Sequence, residues 1–287
     1  MRWISRFLIL ISLLTSTATN AEGILVASWN MRWLTTTETE NNRRNAQDFD
    51  RLKRIARSID ADIIALQEVE NAETAFKVFG DEYEYYFSNR RNTLMRVGFA
   101  VRKDVVVIGS FVYEPLALDG MRYGVDITVS TKENKKLRFL NVHLKSGCFI
   151  EELPSSKRAC EIIERQAKVL REWTARRAEE GSPFMILGDF NRRLGVEESN
   201  NIVGVMSEIN SAFQNQDNTL RTVAGTKKSK CWGGEYPEFI DHFVVGPKMD
   251  SYIDSNAFRE LAYRKDLNRK FKKKISDHCP IQLRLEV

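Results

Sequence analysis

Histidine is scarce in this chain, with three in 287 residues, and cysteine is nearly as rare, with four. No Cys-x-x-Cys occurs and no two histidines have ligand spacing, which argues against a structural zinc site. There is no internal repeat and no low-complexity tract, so repeat and fibrous architectures are excluded. No stretch rich in Pro, Gly and Ser divides the chain, so it reads as one folded domain. Apart from one apolar run near the N-terminus, nothing approaches a membrane-spanning length. Neither sign of charge dominates: 44 Lys and Arg stand against 39 Asp and Glu, a net charge of +5. What is present is a 43% hydrophobic content, enough for one large core.

The N-terminus has a processing signal. Arg2 and Arg6 precede a run at 7–14 that is apolar except for Ser12, and small and polar residues follow to Ala21. That is the order of a secretory signal peptide cleaved after residue 21, leaving residues 22–287 as the domain. The mature chain then carries 42 basic and 39 acidic residues, a charge of +3, compatible with a polyanionic substrate. Export places the protein in a periplasm or outside the cell, with no stable membrane anchor after cleavage. In that setting the four cysteines read as two disulfides. Cys148 and Cys160 bracket a short polar loop and are expected to pair. Cys231–Cys279 follows by elimination.

Several apolar runs stop abruptly at polar residues. Residues 24–29 run into Asn30, 62–66 into Gln67-Glu68, 137–142 into His143 and 183–187 into Gly188-Asp189-Phe190-Asn191. Residues 239–240 meet Asp241 and His242, and a last run at 281–287 follows Asp277-His278. Their lengths and β-branched content suit strands, with further strands near 98–101, 105–113 and 124–131. Residues 45–59 and 158–180 have helical period, with Leu52, Ile59, Ile163 and Leu170 among their apolar faces. Strands outnumber helices. The expected fold is α/β, two packed sheets with helices outside. Trp29, Trp33 and Phe190 are expected in the core.

The polar residues at the strand ends carry the chemistry. Asn30, Glu68, His143, Asp189, Asn191, Asp241, Asp277 and His278 are carboxylates, amides and imidazoles, with no convincing serine or cysteine nucleophile among them. Brought to one rim, they would form a site on rigid supports. Hard oxygen donors favour Mg²⁺, Ca²⁺ or Mn²⁺ over zinc. A cation and a protonated imidazole neutralise charge building on phosphorus, and a carboxylate can hold the attacking water. Adjacent Asp241 and His242 point to opposite faces of a strand, and Asp241 is expected to face the site.

In order along the chain, Trp29-Asn30, Leu66-Gln67-Glu68-Val69, Asn141-Val142-His143, Gly188-Asp189-Phe190-Asn191, Ile240-Asp241 and Ser276-Asp277-His278 resemble the motifs of the endonuclease/exonuclease/phosphatase family, which includes deoxyribonuclease I. The resemblance spans roughly residues 24–287. It implies a four-layered α/β sandwich of two mixed sheets packed face to face. It implies Glu68 as principal metal ligand with Asp277 as an additional one, Mg²⁺ as the first metal, and Asn30 near the metal or phosphate. Asp189 would orient or activate water, and Asn191 would bind a phosphate oxygen. His278, polarised by Asp241, would contact the phosphate, with His143 near the leaving group. Arg122, in Met121-Arg122-Tyr123-Gly124, resembles the family's phosphate-contacting arginine. Where deoxyribonuclease I pairs its counterpart of His143 with a glutamate, this chain aligns Met95.

Two basic clusters, Lys227-Lys228-Ser229-Lys230 and Arg269 to Lys274, flank the last two motifs. Such clusters bind backbone phosphates without reading sequence. The expected activity is a monomeric nuclease acting on DNA or RNA. The competing readings are an exported sphingomyelinase or phospholipase, an inositol-phosphate phosphoesterase and a non-catalytic binding module. A lipase would be expected to carry an apolar docking loop, and none is evident after residue 21.

Overall fold

Runs of β-branched and aromatic residues that end at a polar side chain become strands whose ends share one rim. The computed structural model describes residues 23–37, 44–89, 94–213, 219–263 and 271–287. The expected signal peptide and the basic residues Arg269 and Lys270 lie outside them. In chain order the elements are β1 (Ile24–Leu34), α1 (Ala46–Ile59), β2 (Ile63–Val69), α2 (Ala72–Phe79), β3 (Tyr83–Phe87), β4 (Arg96–Arg102), β5 (Val106–Tyr113), β6 (Gly124–Ser130), β7 (Lys136–His143), α3 (Arg158–Glu179), β8 (Phe184–Asp189), α4 (Leu194–Asn200), α5 (Val205–Asn210), β9 (Arg221–Thr222), β10 (Asp241–Val245), α6 (Pro247–Asp250), β11 (Phe258–Glu260) and β12 (Ile281–Leu285).

The strands form two six-stranded sheets. One has the order β11-β12-β1-β2-β4-β3 and the other β5-β6-β7-β8-β10-β9. Within each sheet one pair is parallel, β1 with β2 and β7 with β8, and the remaining neighbours are antiparallel. Side-chain alternation sorts the apolar residues into three layers. Val26, Ile63, Phe99, Ile127, Phe139, Leu187, Phe243 and Leu283 fill the space between the sheets. Ala27, Trp29, Ile64 and Leu66 face outward and are covered by Leu52 and Ile59 of α1 and Phe79 of α2. Leu140, Val142 and Ile186 are covered by Ile163, Leu170 and Trp173 of α3. Helix, sheet, sheet, helix is the four-layered sandwich. The central aromatics carry much of its stability, since Phe→Ala at Phe99 or Phe139, both fully buried, costs about 3–5 kcal/mol.

Local chemistry fixes the helix ends. The Asn45 side chain accepts from Asp48 N at 3.0 Å and the Asp48 side chain accepts from Asn45 N at 3.1 Å, closing a capping box at the start of α1. Asp60, at φ 44°, ends it. No helix among the described residues is long and apolar enough to cross a membrane. One core assignment is corrected. Trp29 and Phe190 are fully buried, but Trp33 is 38% exposed. Arg32 and Trp33 take positive φ, and the β1–β2 register shifts between Asn30 and Leu34. That irregularity turns Trp33 outward and returns Leu34 to the core.

Candidate active site

Strand register decides which side chains meet. His143 pairs with Asp189 across β7 and β8, and Asp189 pairs with Asp241 across β8 and β10. Residues directly opposite on neighbouring strands project from the same face. Three of the expected site residues are therefore abreast on one sheet. The other sheet supplies Asn30 near the end of β1 and Glu68 at the end of β2. His278 arrives on the segment just before β12.

Asp189 is the centre. Its Oδ2 accepts from Asn30 Nδ2 at 2.9 Å and lies 3.4 Å from His143 Nε2 and 3.9 Å from His278 Nε2. Its Oδ1 accepts from Asn191 N at 2.8 Å. His278 Nδ1 meets Asp241 Oδ2 at 2.7 Å. Glu68 Oε1 is 3.4 Å from Asn30 Nδ2 and 3.8 Å from His143 Nε2, and its Oε2 accepts from Trp33 N at 3.1 Å. Glu68 and Asn191 both adopt positive φ, at 56° and 51°. Strained backbone of this kind persists where the surroundings over-determine it.

Burial and neighbouring charge set the protonation states. Burial raises the Asp189 carboxyl to about 7, with Asp241 adding to the rise and His278 opposing it. For His278 burial acts downward, but Asp241, Asp189 and Asp277 more than offset it and lift the imidazole to about 10. His143 is held well below its usual value, first by burial and then by the charges of Arg122 and His278. Arg122 thus lies close enough to act on the site electrostatically. At neutral pH one imidazole is a cation and the other is neutral. His143 Nδ1 is buried with no hydrogen-bond partner among the described residues, as expected from Met95 at the position aligned with the deoxyribonuclease I glutamate. His242 faces away from the site. Its Nε2 lies 2.8 Å from Arg192 O and its ring packs edge-on against Phe190.

Asp277 is set apart from this cluster. It sits half-buried at the rim, and its Oδ2 accepts from Arg32 Nη1 at 2.5 Å. Arg32 carried no signal in the sequence, because its neighbour in space is 245 residues away. Four further supporting groups were also not singled out. Gln67 Nε2 donates to Asn141 Oδ1 at 2.8 Å, and Asn141 Nδ2 donates to Leu66 O and Gly98 O, joining the two sheets under the site. Ser276 Oγ donates to Asn30 O at 2.6 Å and accepts from His278 N at 3.0 Å. Arg44 donates to the carbonyls of Met31, Arg32, Trp33, Lys274 and Ile275 at 2.7–3.0 Å, clamping the bulge of β1 to the segment that leads into Asp277 and His278. Burial and the nearby Arg32 charge lower its guanidinium to about 10. Gln67, Asn141 and Ser276 stood within the sequence motifs, so their position was a signal; Arg44 had none.

The chain matches the model of the Endonuclease/Exonuclease/phosphatase family over residues 27–278. It belongs to that family. No curated protein sequence matches the chain. Solved structures do. Truncated Caenorhabditis elegans TDP2 is 18% identical with a TM-score of 0.59, over 92% of this chain and 98% of that one. The 3'-5' exonuclease NExo from Neisseria meningitidis is 16% identical with a TM-score of 0.61, over 91% and 99%. D. rerio TDP2, solved with a single-strand DNA product, is 15% identical with a TM-score of 0.58, over 92% and 98%. At these identities the likeness establishes the fold, an endonuclease/exonuclease/phosphatase sandwich. Members of the family are hydrolases of phosphate esters and diesters, and divalent metals serve them. The side chains present fit such a cation. Among the described residues Asp189, Asp241 and His278 bring ligand atoms within 4.8 Å of one another, but His278 and Asp241 already bond each other. Glu68, Asn30 and Asp277 add sulfur-free oxygen donors suited to a hard ion, each with one oxygen also held by Arg32 or by the Trp33 N–H.

Proposed function

We propose that the mature protein, residues 22–287, is an exported, monomeric phosphodiesterase that hydrolyses DNA or RNA with little sequence preference. One observation carries this reading. A buried carboxylate, Asp189, lies within 3.9 Å of two imidazoles, one of them paired with Asp241 at 2.7 Å. No serine or cysteine nucleophile stands among them, so water is the attacking group.

Glu68 and Asp277, with Asn30 beside them, would hold Mg²⁺, or Ca²⁺ or Mn²⁺ in its place. When bound, the cation supplies positive charge against the charge that builds on the phosphate. The rest is done by the chain. Asn30 and the Asn191 amide hold the Asp189 carboxylate in a fixed orientation, and that carboxylate accepts a hydrogen bond from the attacking water. The His278 imidazolium donates Nε2–H to a non-bridging phosphate oxygen while Asp241 fixes its ring. Asn191 and Arg122 bind further phosphate oxygens. His143, neutral, offers a single N–H toward the leaving oxygen as the phosphorus–oxygen bond breaks. Basic side chains at 227–230 and 272–274 attract the backbone on either side. Export is supported by the pattern of residues 1–21 and by two disulfides, Cys148–Cys160 and Cys231–Cys279, which suit an oxidising compartment.

The test uses the mature protein with supercoiled plasmid, RNA and sphingomyelin, each with Mg²⁺, Ca²⁺, Mn²⁺ or EDTA, beside His278→Ala. Nicking or RNA cleavage that EDTA stops and His278→Ala abolishes is the expected result. Sphingomyelin cleavage with intact plasmid and RNA would overturn it.

A further inference from the structure

Asp241 and His278 line a cavity of about 540 Å³ that is also lined by Phe149, Tyr236 and Lys272. That volume falls within the range of small-ligand sites. We propose that it takes an unpaired nucleobase next to the scissile phosphate, so that the enzyme prefers single-stranded nucleic acid to duplex. This rests on the phosphodiesterase reading above and names the form of substrate it acts on.

Two large aromatic rings are left open at this cavity. Tyr236 is 64% exposed and Phe149 is 38% exposed. Both are on braced segments. Cys148, next to Phe149, is bonded to Cys160 on α3, and Phe149 O accepts from Arg193 N at 2.9 Å. Arg192, fully buried, donates to the carbonyls of Cys148 and Glu151 on the same loop. On the opposite side Cys231–Cys279 and the bond from Ser229 N to Pro237 O fix the loop that carries Tyr236. Rings held in place lose little entropy when a flat partner stacks on them.

Charge selects the partner. Lys272 Nζ lies 4.7 Å from the Tyr236 ring centre and 3.1 Å from Glu235. The Arg193 side chain makes no hydrogen bond or ion pair among the described residues and lines the same cavity. The acids there are already engaged: Glu235 by Lys272, Glu238 by Lys228, Asp241 by His278, Asp277 by Arg32, and Glu260 by Ser229 Oγ and Lys230 N. Exposed aromatic rings beside Arg193 suit a base flanked by phosphates. A choline headgroup would also favour aromatic faces. It would meet Arg193, whose like charge repels it, and of the carboxylates that line the cavity only Glu260 lacks a cationic partner among the described residues. A base within a duplex reaches such a wall only after unstacking, which costs a few kcal/mol.

The experiment uses a single-stranded oligonucleotide with one cleavable linkage, the other linkages being methylphosphonates. Versions carry a base or an abasic tetrahydrofuran residue on each side of the cut, and a third version is annealed to its complement. Removing the base on one side is expected to lower kcat/KM by about 5- to 150-fold, the range of one aromatic stack. Annealing is expected to lower it similarly. The base-to-abasic ratio should fall toward one in Tyr236→Ala and Phe149→Ala, and Tyr236→Phe should retain it. Equal cleavage of base and abasic strands by the unaltered enzyme would overturn the pocket assignment while leaving the phosphodiesterase reading intact. No cleavage of any of these strands, nor of the same oligonucleotide with all its phosphodiesters intact, would overturn both.

Discussion

Truncating Arg44 removes five carbonyl contacts at once and tests whether the rim of the site depends on them. The guanidinium has five N–H donors and a planar shape, and it joins the β1 bulge to the 274–275 segment, which the Arg32–Asp277 pair and the Ser276–Asn30 bond also connect. Hydrogen bonds from a charged donor are worth about 1.5–3 kcal/mol each in isolation. Here one desolvated cation serves all five, so their sum overstates the loss. Breaking a partly buried charged network costs about 3–5 kcal/mol, which lowers Tm by roughly 10 °C in a domain of this size. Arg44→Lys has three donors for five carbonyls and should lose about half as much. The functional effect is separable. The clamp sets where Trp33 N meets Glu68 and where Arg32 meets Asp277. Loosening it should raise the half-saturating metal concentration by about 10-fold, as loss of a group that orients ligands typically does. Thermal unfolding by circular dichroism, and plasmid nicking titrated with Mg²⁺, read the two effects. A lowered Tm with an unchanged metal requirement would make the clamp structural only. An unchanged Tm would refute the energetic argument itself.

Gly188→Ala should be among the most damaging small substitutions. At φ +126° its added Cβ would meet Val142 O at 2.2 Å, so a loss above about 3 kcal/mol in urea unfolding is expected, and an unaltered midpoint would contradict it. Glu197→Ala leaves the fully buried Arg192 without its partner and should cost about 3–5 kcal/mol; replacing both by apolar residues should cost much less, and equal losses would count against this account. Activity on single strands should fall steeply between 50 and 200 mM NaCl, with a log–log slope near −0.7 for each phosphate contact. A flat profile would remove the basic rim from the binding surface.

The strand ends were readable because an apolar run that stops at Asn30, Glu68, His143 or Asp189 signals both an element and its exit. Register then does what composition cannot: it sets His143, Asp189 and Asp241 abreast. The helix 46–59 was legible from its period and starts at its Asn45 cap. The shorter pieces carried less signal. β9 has two residues and β11 three, and α2 spans only two turns between Asn71 and Gly80. Trp33 was misplaced because hydrophobicity assigns it to the core, whereas the backbone bulge that turns it out has no compositional trace. Arg44 was invisible for a different reason. Its partners are main-chain carbonyls, which every residue has, so no pattern of side chains announces it. Asp277 was found, yet its engagement by Arg32 depends on a contact across almost the full chain.

The two disulfides give the molecule a timetable. Each flanks the working surface, Cys148 beside Phe149 and Cys279 beside His278. Closing loops with sequence separations of 12 and 48 contributes about 3 and about 4 kcal/mol in the chain-entropy model. Together that approaches the whole net stability of an ordinary domain. A newly made chain with its four thiols reduced forgoes that contribution, and the loops beside Phe149 and His278 lack their covalent anchors. Competence therefore follows oxidation rather than synthesis. On the proposed nuclease function, a cell that makes this protein in a reducing compartment holds it in its weakest form where its own nucleic acid is within reach.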